Sequence, residues 1–139
     1  MQIRDATPED APALAGLISE LGFPATAEEV AARLQVQAAM GMGTLVAETS
    51  EGVIGCASWS LMPVLHRAGP VGRLSMLVVT GRLRGKGIGR ALVEAVEQRC
   101  RGLGCVLVEV TSNIGLKDAH AFYEVLGYAR TSYRFARTL

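Results

Sequence analysis

The residues best suited to chemistry form a glycine-rich basic run, Arg84-Gly85-Lys86-Gly87-Ile88-Gly89. Glycines let the backbone turn tightly and leave its N–H groups uncovered. A helix that begins within this run would add unpaired amides and the positive end of its dipole. Formal positive charge comes from four side chains in and beside the run: Arg82, Arg84, Lys86 and Arg90. The run therefore predicts a binding site for a phosphate or pyrophosphate group.

Two familiar phosphate-binding motifs do not fit this run. A Walker A loop requires Ser or Thr after Gly-Lys, and here Gly87 follows Lys86. The dinucleotide fingerprint requires a third glycine where Arg90 stands. A third pattern, Arg/Gln-x-x-Gly-x-Gly, matches Arg84, Gly87 and Gly89. The alternative is a strand-to-helix turn in which the glycines serve geometry only.

Further along the chain, Glu109 and His120 are candidates for proton transfer. Glu109 interrupts the apolar stretch 106–110, where an unpaired buried carboxylate would be costly. Partial burial would make it a stronger base, whereas exposure or pairing with an arginine would make it structural. His120 precedes Tyr123 by three positions and shares a helix face with it. We interpret His120 as structural, with a proton relay as the alternative.

The sequence pattern around these residues alternates between strands and helices. Thr7-Pro8 and the pair Thr26 and Glu29 are helix-start signals. The predicted elements are a strand at 2–6, helices from 7 and from 26, strands at 44–49, 53–61 and 71–80, a helix at 88–101, a strand at 105–111, a helix at 117–126 and a strand at 129–136. Their order, βααβββαβαβ, indicates one mixed α/β sheet in a single domain over 1–139.

Composition excludes several classes of protein. Half of the residues are apolar and 19% are charged, which is not typical of a disordered chain. No signal peptide and no apolar stretch of membrane-spanning length is recognisable. The cysteines show no CxxC spacing, so neither a disulfide framework nor a zinc site is expected, and a cytoplasmic setting fits. We interpret all three as small core residues: Cys56, Cys100 and Cys105.

Charge is divided unevenly along the chain. Residues 1–66 carry two basic and eight acidic side chains, whereas residues 67–139 carry twelve basic and five acidic ones. This asymmetry indicates an anionic partner for the second half, with a solvated basic face as the alternative. Nucleic acid is the less favoured partner, because acids are interspersed among the bases and aromatic residues are few.

Two stretches resemble motifs of the GNAT superfamily of N-acetyltransferases. LSMLVVTGRLRGKGIGRALVEAVE resembles its acyl-CoA-binding motif, and SNIGLKDAHAFYEVLGY resembles its C-terminal motif. The resemblance covers residues 71–128, with Thr80-Gly81 where relatives often have proline. It implies the acyl-CoA N-acyltransferase fold: a mostly antiparallel sheet with helices on both faces and a central parallel strand pair splayed apart. Here those strands would be 71–80 and 105–111.

The same resemblance implies a set of residues that bind acyl-CoA in the opening between the strands. Backbone groups of Leu77, Val78 and Val79 would pair with the pantetheine arm. Asn113 would contact pantetheine or fix the strand end, with a plain turn asparagine as the alternative. The pyrophosphate would be held by the segment Arg84, Gly85, Lys86, Gly87, Ile88, Gly89 and Arg90.

For catalysis, the resemblance implies roles for two side chains and one amide. Tyr123 would protonate the leaving thiolate, although a packed helix tyrosine is the alternative. Glu109 matches a glutamate that deprotonates the amine in some relatives, directly or through water. The backbone N–H of Val78 would stabilise the oxyanion.

The implied function is N-acetyl transfer from acetyl-CoA to a primary amine by direct attack in a ternary complex, without a metal. An acyl-CoA-binding sensor of the same fold is the alternative. A cationic acceptor is one option, because acids occur near the N-terminal helices at Glu20, Glu28 and Glu29, although solvated faces explain them equally. A small amine, a peptide N-terminus and a lysine all stay open, with a homodimer as one possible assembly.

Overall fold

The computed structural model describes residues 1–139, with five strands and four α-helices. The strands are β1 (Gln2–Asp5), β2 (Gly43–Thr49), β3 (Gly52–Met62), β4 (Val71–Val79) and β5 (Leu107–Val110). The helices are α1 (Ala11–Glu20), α2 (Ala27–Ala39), α3 (Ile88–Gly102) and α4 (Lys117–Val125). The α/β class is confirmed, and the predicted order holds for every element except the last. None of the helices has the length and apolar character needed to cross a membrane.

Both predicted helix starts are capping boxes. Thr26 N donates to Glu29 Oε1 at 3.2 Å, and Glu29 N donates back to Thr26 Oγ1 at 3.1 Å. The Thr7 amide donates to Asp10 Oδ2 at 2.8 Å, one short 3₁₀ turn before α1. Arg4 of β1 binds both oxygens of the buried Asp10 carboxylate at 2.8 and 2.9 Å, which lowers the pKa of Asp10. These bonds satisfy exposed amides and fix both helices where they cross the sheet.

The sheet has the strand order β1-β2-β3-β4-β5. The first three pairs are antiparallel, and β4 pairs with β5 in parallel. Alternate residues of the central strands enter different hydrophobic clusters: Leu45 and Ala47 pack with α3, whereas Val46 packs with α1 and α2. Because side chains alternate across a strand, the two clusters lie on opposite faces of the sheet. Helices therefore cover both faces, as the resemblance implied.

The parallel pair opens partway along β4. Pairing with β5 runs from Val71 opposite Leu107 to Leu74 opposite Val110 and then stops. At the same point the register between β3 and β4 shifts, so that Ser75 is an extra residue in a β-bulge. A bulge bends its strand and increases the local twist. The bulge therefore accounts for the separation of the strands, and the second half of β4 has no neighbour on this side.

The predicted strand over 129–136 is wrong. Residues 129–139 have no regular secondary structure, and all of them are exposed. Consequently β5 lies at the edge of the sheet and is half-buried along its length, rather than buried as its apolar sequence predicts. The polar–apolar alternation of the tail is typical of a strand, but a strand forms only where a partner pairs with its backbone.

Candidate active site

The glycine-rich run forms a loop of uncovered amides before α3. Gly85 and Gly87 have φ angles of +79° and +81°, a left-handed conformation that other residues adopt only with strain. Gly87 is the N-cap of α3, and the first intrahelical bond runs from Ala91 N to Gly87 O at 3.0 Å. The amides of the helix's first turn, residues 88–90, therefore have no acceptor within the helix. The local geometry suits an anion, as the sequence predicts.

The basic side chains around this loop differ in their contacts. Arg82 pairs with Glu51 at 3.2 Å, and Arg90 pairs with Glu94 at 2.8 Å. The Nε of Arg84 donates to the backbone oxygen of Val79 at 3.3 Å. All of these side chains, and Lys86, are exposed, so they can turn toward a bound anion at small cost.

Register decides which backbone groups of β4 face the opening. Thr80 N donates to Ile54 O at 2.9 Å, which places the bonds to β3 on the even-numbered residues of this half of β4. Val78 therefore directs its N–H and C=O toward β3, and its side chain is buried against α1. The backbone N–H and C=O groups of Leu77 and Val79 face the opening. The assignment of Val78 to the oxyanion and to pantetheine pairing thus disagrees with the register, whereas Leu77 and Val79 are correctly oriented.

Helix α4 lies on the other side of the opening. A Cβ atom placed on Gly89 would be 3.5 Å from Phe122 Cζ and 3.9 Å from Val79 Cγ2, so α4 packs close to the start of α3 and the end of β4. Tyr123 is half-buried with its ring 5.2 Å from Phe122 and 5.9 Å from Tyr128. Burial raises the pKa of the Tyr123 hydroxyl, which therefore keeps its proton at neutral pH.

The two tyrosines at this place have different hydroxyl environments. Tyr128 donates to Glu97 Oε1 of α3 at 2.9 Å, which ties the end of α4 to α3. The Tyr123 hydroxyl is neither paired in this way nor buried without a partner. It is consequently the hydroxyl that remains free to interact with a ligand.

Asn113 and His120 organise the loop between β5 and α4. Asn113 Oδ1 accepts from Gly115 N at 2.9 Å, an Asx turn. His120 Nε2 donates to the backbone oxygen of Asn113 at 2.9 Å. These bonds agree with a structural His120, and they match the alternative in which Asn113 fixes the strand end.

Glu109 lies one register position before the strands separate. It is opposite Arg73 of β4, with Arg73 Nε 3.4 Å from Glu109 Oε1. The angles do not make this contact a hydrogen bond, since Arg73 Nε is buried without a hydrogen-bond partner. The Glu109 side chain is 38% exposed, which differs from the apolar burial that its sequence neighbours indicate. Its position is close to the opening, but its environment is an ion pair.

A groove of about 370 Å³ lies between helices α1 and α2 and the sheet. Most of its wall is apolar, and Arg33 of α2 is the one charged residue that lines it. At its base, Thr44 Oγ1 lies 2.8 Å from Gln37 Oε1 and 2.7 Å from Ser58 Oγ. The bulge residue Ser75 also lines the groove, so the groove reaches the point where β4 leaves β5.

Sequence reasoning missed these groove residues, because they come from separate elements and share no motif. Two of the acids that it did single out, Glu20 and Glu29, have partners outside the groove lining. Glu29 caps α2 and pairs with Arg33 at 3.2 Å. Glu20, at the end of α1, accepts from the amide of Gly81 at 2.9 Å and so joins α1 to the 3₁₀ turn Gly81–Leu83, which precedes the glycine-rich loop. The i,i+4 spacing of Glu29 and Arg33 was the available signal, but it indicates only a helix surface pair.

Comparison with known proteins agrees with this geometry. The family model described as the acetyltransferase (GNAT) family matches residues 13–128. The chain is 32% identical to the aminoalkylphosphonate N-acetyltransferase of Salmonella typhimurium, over 99% of this chain and 91% of that protein. It is 29% identical to glucosamine 6-phosphate N-acetyltransferase 1 of Oryza sativa, over 81% of this chain and 71% of that protein.

Solved structures show the same fold. An acetyltransferase of Trypanosoma brucei superposes with a TM-score of 0.86 at 26% identity, and the match covers 99% of both chains. An aminoglycoside N-acetyltransferase in complex with CoA superposes with a TM-score of 0.87 at 19% identity, over 99% of this chain and 93% of that chain. The family model matches most of the chain, and the uncovered amides and the splayed strands agree with it. The chain therefore belongs to the GNAT family of acetyltransferases.

Proposed function

We propose that the chain transfers an acetyl group from acetyl-CoA to a primary amine that also carries an anionic group, of which a phosphonate is the leading candidate. The acyl donor is a substrate of this reaction. The observation that carries the proposal is the pairing of two sites: an amide-lined loop beside the opening in the sheet, and a largely apolar groove with Arg33 at its wall that reaches the same opening.

The donor site uses mainly the backbone. The pyrophosphate of acetyl-CoA would occupy the loop, bound by the amides of residues 85–90 and by Lys86. The pantetheine arm would pair with the groups of Leu77 and Val79 that face the opening, as a further strand would. Asn113 would fix the far wall of the opening through its turn.

Transfer then requires three things: stabilisation of the oxyanion, a proton for the leaving thiolate and a base for the amine. The amine nitrogen attacks the carbonyl carbon, and the oxyanion that forms is stabilised by the N–H of Leu77, which replaces Val78 in this role. The carbon–sulfur bond breaks, and the thiolate takes the proton of the Tyr123 hydroxyl. The proton lost by the amine passes to Glu109, directly or through water, while Arg73 holds that carboxylate beside the opening.

The acceptor class follows from the charge of the groove. Arg33 is its one charged lining residue, and none of the acids expected to bind a cation (Glu20, Glu28 and Glu29) lines the groove. The planar guanidinium can donate two parallel hydrogen bonds to two oxygens of a phosphonate, phosphate or carboxylate group. The similarity to an aminoalkylphosphonate N-acetyltransferase supports the same class.

Thiol release from acetyl-CoA, measured with a matched pair of amines, tests this proposal. One amine is an aminoalkylphosphonate, and the other is the alkylamine of equal chain length without the phosphonate. We expect kcat/KM to favour the phosphonate by about tenfold or more, which corresponds to one charge-assisted contact. A preference for a diamine over both would contradict the anionic acceptor, and CoA binding without turnover of any amine would favour the sensor.

A further inference from the structure

Two of the three cysteines, Cys100 and Cys105, meet where α3 ends. Cys105 N donates to the backbone oxygen of Cys100 at 3.0 Å, and Gly104 N donates to that of Arg101 at 3.1 Å. Gly104 has a φ of +82°, so these two bonds form a Schellman motif. This motif commonly brings the side chains of its first and last residues into contact, and here both side chains are thiols.

The surroundings of the two thiols hold them close together. A disulfide requires the two Cα atoms to lie within about 7 Å, and the 3.0 Å bond between the backbones of Cys100 and Cys105 meets that requirement. Both sulfurs also lie against one glycine of β4. A Cβ atom placed on Gly72 would be 2.5 Å from Cys100 Sγ and 3.3 Å from Cys105 Sγ. A side chain at this position would collide with the thiols, so the strand leaves the space to them.

The two thiols differ in their access to solvent. Cys100 is fully buried, and burial raises the pKa of its thiol to about 11, with the neighbouring Cys105 adding to the rise. Cys105 is only partly buried. A dissolved oxidant therefore reaches Cys105 first, whereas Cys100 can react only with a group already beside it. An accessible thiol next to a second, resolving thiol is the arrangement of a reversibly oxidised pair.

The third cysteine has no such neighbour. Cys56 is fully buried in the cluster that packs with α1 and α2, on the opposite face of the sheet from Cys100. Burial raises the pKa of its thiol to about 12. Cys56 is therefore a small core residue, as its sequence position predicts, and it serves as an internal reference for the pair.

We propose that Cys100 and Cys105 are a site of reversible disulfide formation, with hydrogen peroxide as the oxidant. The Cys105 sulfur loses its proton and attacks one peroxide oxygen, the O–O bond breaks, and the released hydroxide takes up that proton as water. The Cys100 sulfur then attacks the sulfur of the resulting sulfenic acid, the S–O bond breaks, and hydroxide leaves with the Cys100 proton as a second water. One peroxide is thus reduced to two waters while two thiols are oxidised to one disulfide.

The disulfide would join the end of α3 to the beginning of an edge strand. β5 begins at Leu107, two residues after Cys105, and pairs there with Val71. The opening between the strands lies at the other end of the pair, beyond Leu74. The bond would therefore restrain the start of β5 without closing the opening. Because reducing conditions keep thiols free, it would persist only while oxidant is present.

Peptide mapping of the full chain after treatment with hydrogen peroxide tests the site. Free thiols are alkylated in denaturant before digestion. Trypsin cleaves after Arg101, between the two cysteines, so the disulfide would hold together two peptides that separate on reduction. We expect this linked pair and one alkylated thiol per chain, against three in the reduced chain. Dithiothreitol should restore all three. Three thiols after peroxide, or a sulfinic acid on Cys105 without linked peptides, would overturn the proposal.

Single variants assign the bond to this pair. Cys56→Ala removes the reference thiol and should leave the linked peptides unchanged. Cys105→Ala removes the accessible partner, so Cys56 and Cys100 should both remain available for alkylation after peroxide. Linked peptides that disappear in Cys56→Ala, or a disulfide between two chains in the wild type, would contradict the assignment.

Hydrogen exchange tests the restraint on β5. The amides of residues 107–110 should exchange about threefold or more slowly in the oxidised chain, because the bond limits local opening at the start of the strand. Cys105→Ala treated with peroxide is the control and should exchange at the same rate as its untreated form. Equal exchange in the oxidised and reduced wild type would show that the disulfide does not restrain β5.

Discussion

The proposed donor and acceptor sites of this protein are built in different ways. The glycine-rich loop and the second half of β4 present backbone amides. The positions of these amides depend on the left-handed residues Gly85 and Gly87 and on the strand register. The groove between α1 and α2 presents side chains, with Arg33 at its wall and Thr44 and Ser58 at its base. A backbone site recognises what all acyl-CoA molecules share, whereas a side-chain site can be altered one residue at a time.

Because of this difference, the two sites should respond differently to amino-acid substitutions. A substitution in the loop alters the conformation of several amides at once, because the left-handed positions hold the turn. A substitution in the groove removes one contact and leaves its neighbours in place. We therefore expect donor-site changes to affect every acceptor equally, and acceptor-site changes to affect only some.

The largest effect on substrate binding is expected for Gly87→Glu. The new carboxylate would stand at the N-cap of α3 within the amide-lined loop, and its charge would repel the pyrophosphate. CoA affinity, measured by calorimetry, should fall by about a hundredfold, which is close to 3 kcal/mol. Gly104→Glu is the matched control, because Gly104 has a φ of +82° and open space at the other end of α3. That control should lose stability but keep CoA binding.

Tyr123→Phe separates donor binding from chemistry. The ring packing is kept and one hydroxyl is lost, so CoA affinity and Tm should change little. Acetyl transfer should fall by about ten- to a thousandfold, the range for a positioned acid. Because burial raises the pKa of Tyr123, the wild-type rate should show no loss of this acid around neutral pH. Unchanged turnover in the variant would reassign Tyr123 to packing.

The neighbouring tyrosine supplies the control for that experiment. Tyr128→Phe removes the donor to Glu97, so it should lower stability by about 1 kcal/mol or more. Its turnover per folded molecule should match the wild type. Equal loss of turnover in both variants would mean that the region acts through packing alone.

Arg33→Gln tests the acceptor side of the comparison. The KM for an aminoalkylphosphonate should rise by about tenfold, whereas the KM for acetyl-CoA and for a neutral amine should not change. Arg101→Gln is the matched control, since both arginines are 64% exposed and both pair with a glutamate one helical turn earlier. A rise for every amine would mean that Arg33 shapes the groove instead of binding an anion.

The smallest effect is expected for Glu109→Gln, because a water molecule could still accept the amine proton. The rate deficit should be about tenfold at low pH and should shrink as the amine loses its own proton at higher pH. His120→Asn is the control, since it loosens the loop without touching the base. A deficit of equal size at every pH would exclude Glu109 as the base.

Prediction from sequence succeeded where one local pattern decides the structure. The capping box of Thr26 and Glu29 depends on residues three apart, and the turn at Gly87 depends on the residue itself. It failed where the structure of a segment depends on pairing with another part of the chain. The tail has a strand pattern but no strand beside it, and Glu109 sits in an apolar run whose strand proved to be an edge.

The register of β4 against β3 and the groove between α1 and α2 could not be predicted from the sequence for the same reason. Which of Leu77 and Val78 faces the opening depends on the bond from Thr80 to Ile54, between strands that no local pattern aligns. The groove gathers Arg33 and Ser75 from segments far apart in the chain. No spacing rule links them, so only the folded structure reveals their proximity.

The bond from Glu20 to Gly81 would link the free energies of the two proposed binding events. The Glu20 carboxylate holds the end of α1 to the 3₁₀ turn Gly81–Leu83, which precedes the glycine-rich loop. A donor that fixes the loop would also fix that end of α1, so the acceptor would bind to a helix that is already ordered. Such coupling is reciprocal, and a single exposed hydrogen bond of about 1 kcal/mol limits it to roughly fivefold in affinity. Donor and acceptor should therefore bind with modest mutual enhancement rather than in a strictly enforced order.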